Sequence, residues 1–216
     1  MFGTVSNESV QNEKTPFNPQ SPYAASKIFA YHQALIYRTS HNLFIANGIL
    51  FNHESPRRGI NFITRKITLG LVRIHLNLQK KLKLGNLYSQ RDWGYAKEYV
   101  EGIWRILQHK VADDFVLATG ETHSVKEFIE VASQCLNFRL VWQETGSNER
   151  GIDIKTDKII IEIDPTFFRP NDVAYLRGDP TKAQKLLNWK PKITFARLVE
   201  LMIKSDYDLV KKEIKM

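Results

Sequence analysis

Ser21-Pro22-Tyr23-Ala24-Ala25-Ser26-Lys27 is the stretch on which the reading of this chain turns. Pro22 suits the first turn of a helix, where a missing N–H costs nothing, and no breaker follows until about Ser40. On such a helix Tyr23 and Lys27 lie four residues apart, so both side chains rise from one face. An ammonium beside a phenol favours the ionised phenol. A phenolate poised nearer neutrality is a base that can take a proton from a sugar or alcohol hydroxyl while hydride leaves the same carbon. Taken alone the pair is a weak signal, because Tyr and Lys share a helix face by chance more often than not.

Upstream, residues 1–20 are irregular and polar, with Gly3, Pro16 and Pro19. Downstream, Leu43–Phe51 is an apolar run of strand length. It ends in the polar loop Asn52–Gly59, which carries Arg57 and Arg58 side by side. In open α/β sheets the loop after a strand's carboxyl end is where ligands sit; a solvated turn is an equal reading of these residues.

Residues 61–75 have helical spacing, with Phe62, Ile63, Ile67, Leu69 and Val72 inward and Arg65 and Lys66 outward. Leu82–Leu87 reads as a short strand. Arg91-Asp92-Trp93-Gly94 then leads into a helix over 97–108, and Arg91 either clamps a phosphate or pairs with Asp92 at the surface. Asp114–Gly120 is a strand running into a glycine turn. Ser124 and Glu127 have the capping-box spacing ahead of a helix over 125–136, with Val125, Phe128, Ile129 and Cys135 inward. Residues 144–158 read as loop and Ile159–Ile163 as a strand. Arg169 precedes Pro170, which holds it extended. Two helices follow, over 181–187 and from Phe195 onward. His32 and His41 are read as surface residues and His123 as a structural hydrogen-bonder.

The chain has 216 residues, 31 Lys and Arg against 23 Asp and Glu, and a net charge of +8. That balance suits nucleic acid, a membrane surface or an anionic small ligand. The positive residues are scattered, with no aromatic-basic signature, so no nucleic-acid partner is expected. Cys135 is the single cysteine, so an intramolecular disulfide and a cysteine zinc cluster are both ruled out, and no metal site is expected. No apolar stretch reaches the length of a membrane span; a cytoplasmic location and no membrane association are expected.

Several stretches carry a resemblance: SPYAASK (21–27), NGILFNHESPRRG (47–59), FITRKI (62–67), GNLYSQRDWG (85–94), ATGETHSVKEF (118–128), FFRPNDV (167–173), GDPTKA (178–183) and NWKP (188–191). In this order they resemble the GDP-mannose 4,6-dehydratases, within the extended short-chain dehydrogenase/reductase group. NHESPRRG and RDWG are specific to that family, whereas YxxxK marks only the wider group. The resemblance implies an α/β fold: the carboxy-terminal part of a Rossmann-like NAD(P)-binding sheet with an interleaved smaller sugar-nucleotide-binding region. Residues 1–216 would form one such domain, roughly 1–60 and 91–125 in the sheet part and 61–90 and 126–216 mostly in the substrate part.

It also implies a chemistry. NADP accepts hydride from carbon 4 of GDP-mannose as Tyr23 takes the hydroxyl proton, and Lys27 supports the tyrosine and the nicotinamide ribose. Water is then lost across carbons 5 and 6, and the returning hydride gives GDP-4-dehydro-6-deoxy-mannose. By motif position, Tyr23, Lys27, His53 and Arg58 are implied NADP contacts. Asn52, Lys66, Arg91, Arg169 and Asp172 are implied contacts of the substrate's GDP end.

The chain departs from the family's pattern at four positions. Asp172 stands where Glu is usual, Tyr88 where Asp is, Tyr95 where His is, and Gln20 where Arg is. No GxxGxxG occurs in the 216 residues, and the resemblance places that loop and a catalytic Thr and Glu ahead of Met1. The expectation is therefore a lyase that is catalytically incomplete as it stands, prone to aggregate alone, and a homo-oligomer (dimer or tetramer) when full length. The alternative is a non-catalytic fragment that binds GDP-sugar or associates with intact subunits.

Overall fold

The computed structural model describes residues 1–3, 10–168 and 173–215. In it the Ser21 hydroxyl accepts from the Ala24 amide (3.1 Å), Pro22 occupies the first turn, and the helix runs to His41 before Asn42 ends it in the left-handed region (φ 51°). A side-chain N-cap and a residue at positive φ are the start and stop expected for this sequence.

In chain order the elements are α1 (Pro22–His41), β1 (Asn47–Leu50), β2 (Asn52–Glu54), α2 (Ile63–His75), β3 (Leu82–Leu84), β4 (Gln90–Arg91), β5 (Trp93–Tyr95) and α3 (Ala96–Gln108). They continue with β6 (Asp114–Leu117), β7 (His123–Ser124), α4 (Val125–Cys135), β8 (Leu140–Gln143), β9 (Arg150–Asp153), β10 (Lys158–Ile163), α5 (Thr181–Leu187) and α6 (Phe195–Lys215). No helix is long and apolar enough to cross a membrane, among the described residues.

The chain divides into two compact units. The first comprises Met1–His53, Ser89–His123 and Asn171–Ile193. At its centre β1 and β6 run parallel, with Asn47, Gly48, Ile49 and Leu50 opposite Asp114, Phe115, Val116 and Leu117. Side chains alternate across a strand, and here both faces are covered. On one face Phe115 and Leu117 pack with Tyr99, Ile106, Ala183, Leu187 and Trp189; on the other Val116 and Ala118 pack with Phe2, Ile49 and Phe51. Strands buried on both faces read as unbroken apolar runs, which is why FVLATG was legible as a strand. Gly102 lets α3 approach closely: a Cβ there would stand 2.7 Å from Leu117 and 3.0 Å from Trp189. The sequence grouping put 126–216 mostly in the substrate part. In the structure residues 173–193 belong to this first unit, because Ala183, Leu187 and Trp189 complete its core.

The second unit comprises Glu54–Tyr88, Ser124–Pro170 and Thr194–Met216. Its sheet has the order β3-β10-β9-β8, parallel between β10 and β3 and antiparallel elsewhere. Helices α2, α4 and α6 pack on one another, with Ile67, Leu71, Phe128, Ile129, Leu198 and Met202 buried. Both reciprocal bonds of the Ser124–Glu127 capping box are present.

Several sequence expectations are corrected here. Arg65 is buried at 7% exposure, not outward, because α6 supplies a buried carboxylate for it. Phe62 is exposed; it precedes the helix as its N-cap rather than lying on the helix's inner face. Cys135 is exposed, at the last residue of α4. Residues 150–153 form a strand rather than loop, and 52–54 form β2 rather than loop. His32 and His41 are exposed, as expected.

Candidate active site

In the first unit, Tyr23 and Lys27 stand on one exposed face of α1, with Lys27 Nζ 5.4 Å from the centre of the Tyr23 ring. Tyr23 is 72% exposed, and no residue of α1 is fully buried. The pair is thus presented to solvent side by side, which is what a base that must meet a substrate hydroxyl requires.

Asn52 and His53 follow β1 directly and lie on β2, which pairs with β5. The His53 ring stacks on Tyr99 (5.2 Å, 29°) and its Nδ1 donates to the Phe51 carbonyl at 2.9 Å. A carbonyl can only accept, so this bond sets the tautomer and leaves Nε2 for a ligand. The stacking and the bond together fix the ring before any ligand arrives.

Arg91 ends β4 and is half-buried, with Nη1 donating to the Gln90 carbonyl (2.8 Å). Its neighbour Asp92 is a hub that the sequence reading did not find. It is fully buried, and its carboxylate accepts from Thr119 N (2.8 Å), Thr119 Oγ1 (2.7 Å), Gly120 N (3.0 Å) and Gly178 N (3.1 Å). Burial pushes the Asp92 carboxyl above the usual carboxylate range, and these four donors oppose that. One side chain thus stitches three separate stretches of chain beside Arg91. No local signal marks it: an acid between Arg91 and Trp93 reads equally well as a surface residue, and its donors come from far along the chain.

In the second unit the turn Ser55–Arg58 carries the adjacent arginines. Arg58 N donates to the Ser55 carbonyl (2.9 Å) and Arg57 N to the Ser55 hydroxyl (3.1 Å). The Arg58 guanidinium lies 3.6 Å over the Phe62 ring, and its Nε is 3.3 Å from Glu54 Oε2. Glu54 is buried and accepts from Thr64 Oγ1 at 2.7 Å. Burial raises the Glu54 carboxyl above its ordinary value, opposed by the Thr64 hydroxyl and the Arg58 charge.

A raised carboxyl contributes stability that is lost as pH rises through its folded value. Thr64→Val removes a donor to the ionised form and raises that value further. The variant should therefore be destabilised by about 1.5–3 kcal/mol near pH 8. The loss should be clearly smaller near pH 4.5, a difference that urea denaturation at the two pH values reads.

Lys66, on α2 in the same unit, sits 3.5 Å over the Phe167 ring; burial lowers its pKa, partly offset by Asp164. A half-buried ammonium on an aromatic face is held in place yet poorly solvated, a state that favours capture of an anion. Arg169 and Asp172 lie outside the described residues. Arg57, Arg58 and Lys66 in the second unit are cations, and so is Arg91 in the first; side chains of this kind can meet phosphate groups through charge-assisted hydrogen bonds. Among the described residues no group of three or more His, Cys, Asp or Glu could hold a metal ion.

Residues 1–202 match the family model described as GDP-mannose 4,6 dehydratase. Curated GDP-mannose 4,6 dehydratases from Drosophila melanogaster and Homo sapiens are 47% and 46% identical, each over 98% of this chain. The chain covers 53% and 56% of their lengths, so it spans about half the length of the curated relatives it matches. Among solved structures, RMD from Pseudomonas aeruginosa complexed with NADPH shares the fold at a TM-score of 0.79 and 20% identity, over 96% of this chain and 63% of that one. The dTDP-glucose 4,6-dehydratase of Bacillus anthracis in complex with NAD does so at 0.76 and 22%, over 98% of this chain and 60% of that one.

Proposed function

The chain belongs to the GDP-mannose 4,6-dehydratase family, and on that footing we propose that it supplies the proton-transfer pair and the cationic nucleotide contacts of an NADP-dependent conversion of GDP-mannose to GDP-4-dehydro-6-deoxy-mannose. The reading is carried by the placement of Tyr23 and Lys27 on one exposed face of an N-capped helix.

When bound, the oxidised nicotinamide supplies a reversible hydride acceptor for the sugar. Tyr23, as the phenolate, takes the proton of the substrate's carbon 4 hydroxyl and becomes a neutral phenol; the Lys27 ammonium, one turn along, offsets the phenolate's charge before that transfer. His53, set by the Phe51 carbonyl, and Arg58 bind the NADP. Asn52, Lys66 and Arg91 bind the GDP end of the substrate, with Arg169 and Asp172 in the same role. Loss of water across carbons 5 and 6 needs the ketone first, since only the adjacent carbonyl makes the carbon 5 proton acidic enough to remove.

Calorimetric titration of the chain with GDP-mannose and with UDP-glucose tests the substrate class. GDP-mannose is expected to bind the tighter of the two, and Arg91→Ala to weaken it about tenfold through loss of a charge-assisted phosphate contact. Equal affinity for the two sugar nucleotides, or no change in Arg91→Ala, would count against this reading. A homo-oligomeric, cytoplasmic enzyme fits the same proposal.

A further inference from the structure

The turn bearing Arg57 and Arg58 is held from below by groups that the reaction does not use. Arg65, on α2, is 7% exposed and reaches back along its own chain: its Nη1 donates to the carbonyls of Pro56 and Arg58, the latter at 3.0 Å. On its other side Arg65 Nε forms an ion pair with Asp206 Oδ1 on α6 at 2.7 Å. Asp206 is fully buried, and its second oxygen accepts from Thr68 Oγ1 at 2.6 Å. Breaking a buried ion pair leaves an uncompensated charge in the interior, so Arg65 and Asp206 hold each other in place. What this pair fixes is the backbone at both ends of the Pro56–Arg58 segment.

We infer that Arg65 and Asp206 are positioning residues for the Arg58 guanidinium, so that the carboxy-terminal helix α6 sets how well the arginine turn holds its nucleotide phosphate. This rests on the reading of Arg58 as an NADP contact. The chain of contacts is short. Asp206 orients Arg65, Arg65 ties down two turn carbonyls, and the turn delivers Arg58 onto Phe62 and beside Glu54. Without the tie, binding a phosphate must also order the turn and the long Arg58 side chain, a cost that shows as weaker affinity.

The test is NADP binding by calorimetry to the 216-residue chain and to Arg58→Ala, Asp206→Asn and the double variant, with GDP-mannose binding measured alongside. Asp206→Asn is expected to weaken NADP about tenfold and GDP-mannose less than twofold. The double variant should bind NADP no more weakly than Arg58→Ala alone, because one residue acts through the other.

Arg65→Lys, which keeps a cation for Asp206 but loses the second nitrogen that serves the two turn carbonyls, should reproduce the NADP loss even if Asp206→Asn does not fold. Equal NADP binding by wild type and Arg58→Ala would overturn the Arg58 reading and this inference with it. Weakened binding in Arg58→Ala, with wild-type affinity in Arg65→Lys or fully additive losses in the double variant, would overturn the positioning role alone.

Discussion

Asp92→Ala should lose at least about 3 kcal/mol of stability, seen as a lowered urea midpoint with an unchanged slope. The residue is fully buried, and three backbone amides and one hydroxyl converge on its two oxygens. Truncation to Ala removes the acceptor from all four: the Gly178 amide is buried and carries its whole desolvation cost, the Thr119 and Gly120 amides are half-buried, and the Thr119 hydroxyl keeps the Glu121 carbonyl. Asp92→Asn keeps one carbonyl oxygen and should lose less. A loss below about 1 kcal/mol for Asp92→Ala would mean that the Thr119–Gly120 and Gly178 segments are held by other means.

Trp189→Ala is the second large effect, at about 3–5 kcal/mol. The indole is 2% exposed, meets Tyr99 edge-on at 5.6 Å and donates from Nε1 to the Glu98 carbonyl at 2.8 Å. Around it Gly102 and Leu117 leave no slack for the core to collapse into the vacated space. Trp189→Phe restores a ring but not the donor, so it should recover most of the loss and leave about 1 kcal/mol for the missing hydrogen bond, because the Glu98 carbonyl lies within α3 and keeps its helical partner. If Phe costs as much as Ala, the hydrogen bond rather than packing dominates. Thermal unfolding of the two variants side by side decides this.

The parts of the molecule that were legible in the sequence share a property: their cause is local. Ser21 and Pro22 start α1, Ser124 and Glu127 start α4, and the apolar run from Phe115 to Ala118 makes a strand buried on both faces. Each is written within a few residues. What the sequence hid depends on partners far along the chain. Arg65 looks like a surface residue until α6 brings Asp206 beneath it. The Arg150–Asp153 strand is polar and contains Gly151, so it reads as loop; its strand character comes from ladders on both sides, with β8 and β10.

The candidate site divides the same way. Tyr23, Lys27, His53, Arg58 and Lys66 are candidates by motif position, which is local. The devices that hold such residues (the Phe51 carbonyl under His53, Glu54 and Phe62 against Arg58, the four donors to Asp92) are tertiary and had no local signature. The resemblance also reached Arg169 and Asp172, which lie outside the described residues.

The same contrast explains the exposed apolar surface. α3 turns Tyr99, Gly102 and Ile106 inward, yet it shows Val100, Ile103, Trp104 and Leu107 to solvent at 41–64% exposure. A contiguous strip of this kind on a helix face marks an interaction surface or an aggregation liability. The sequence pattern alone gives two apolar faces and cannot rank them; the β1–β6 core decides which one is buried.

Hydrogen exchange read by mass spectrometry, with and without GDP-mannose and NADP together, measures most directly where the ligands bind. Protection is expected in peptides covering Tyr23–Lys27, Asn52–Arg58 and the stretch around Arg91, with α6 beyond Asp206 unchanged. Protection confined to segments without these residues, such as the outer face of α3, would contradict the assignment of the site.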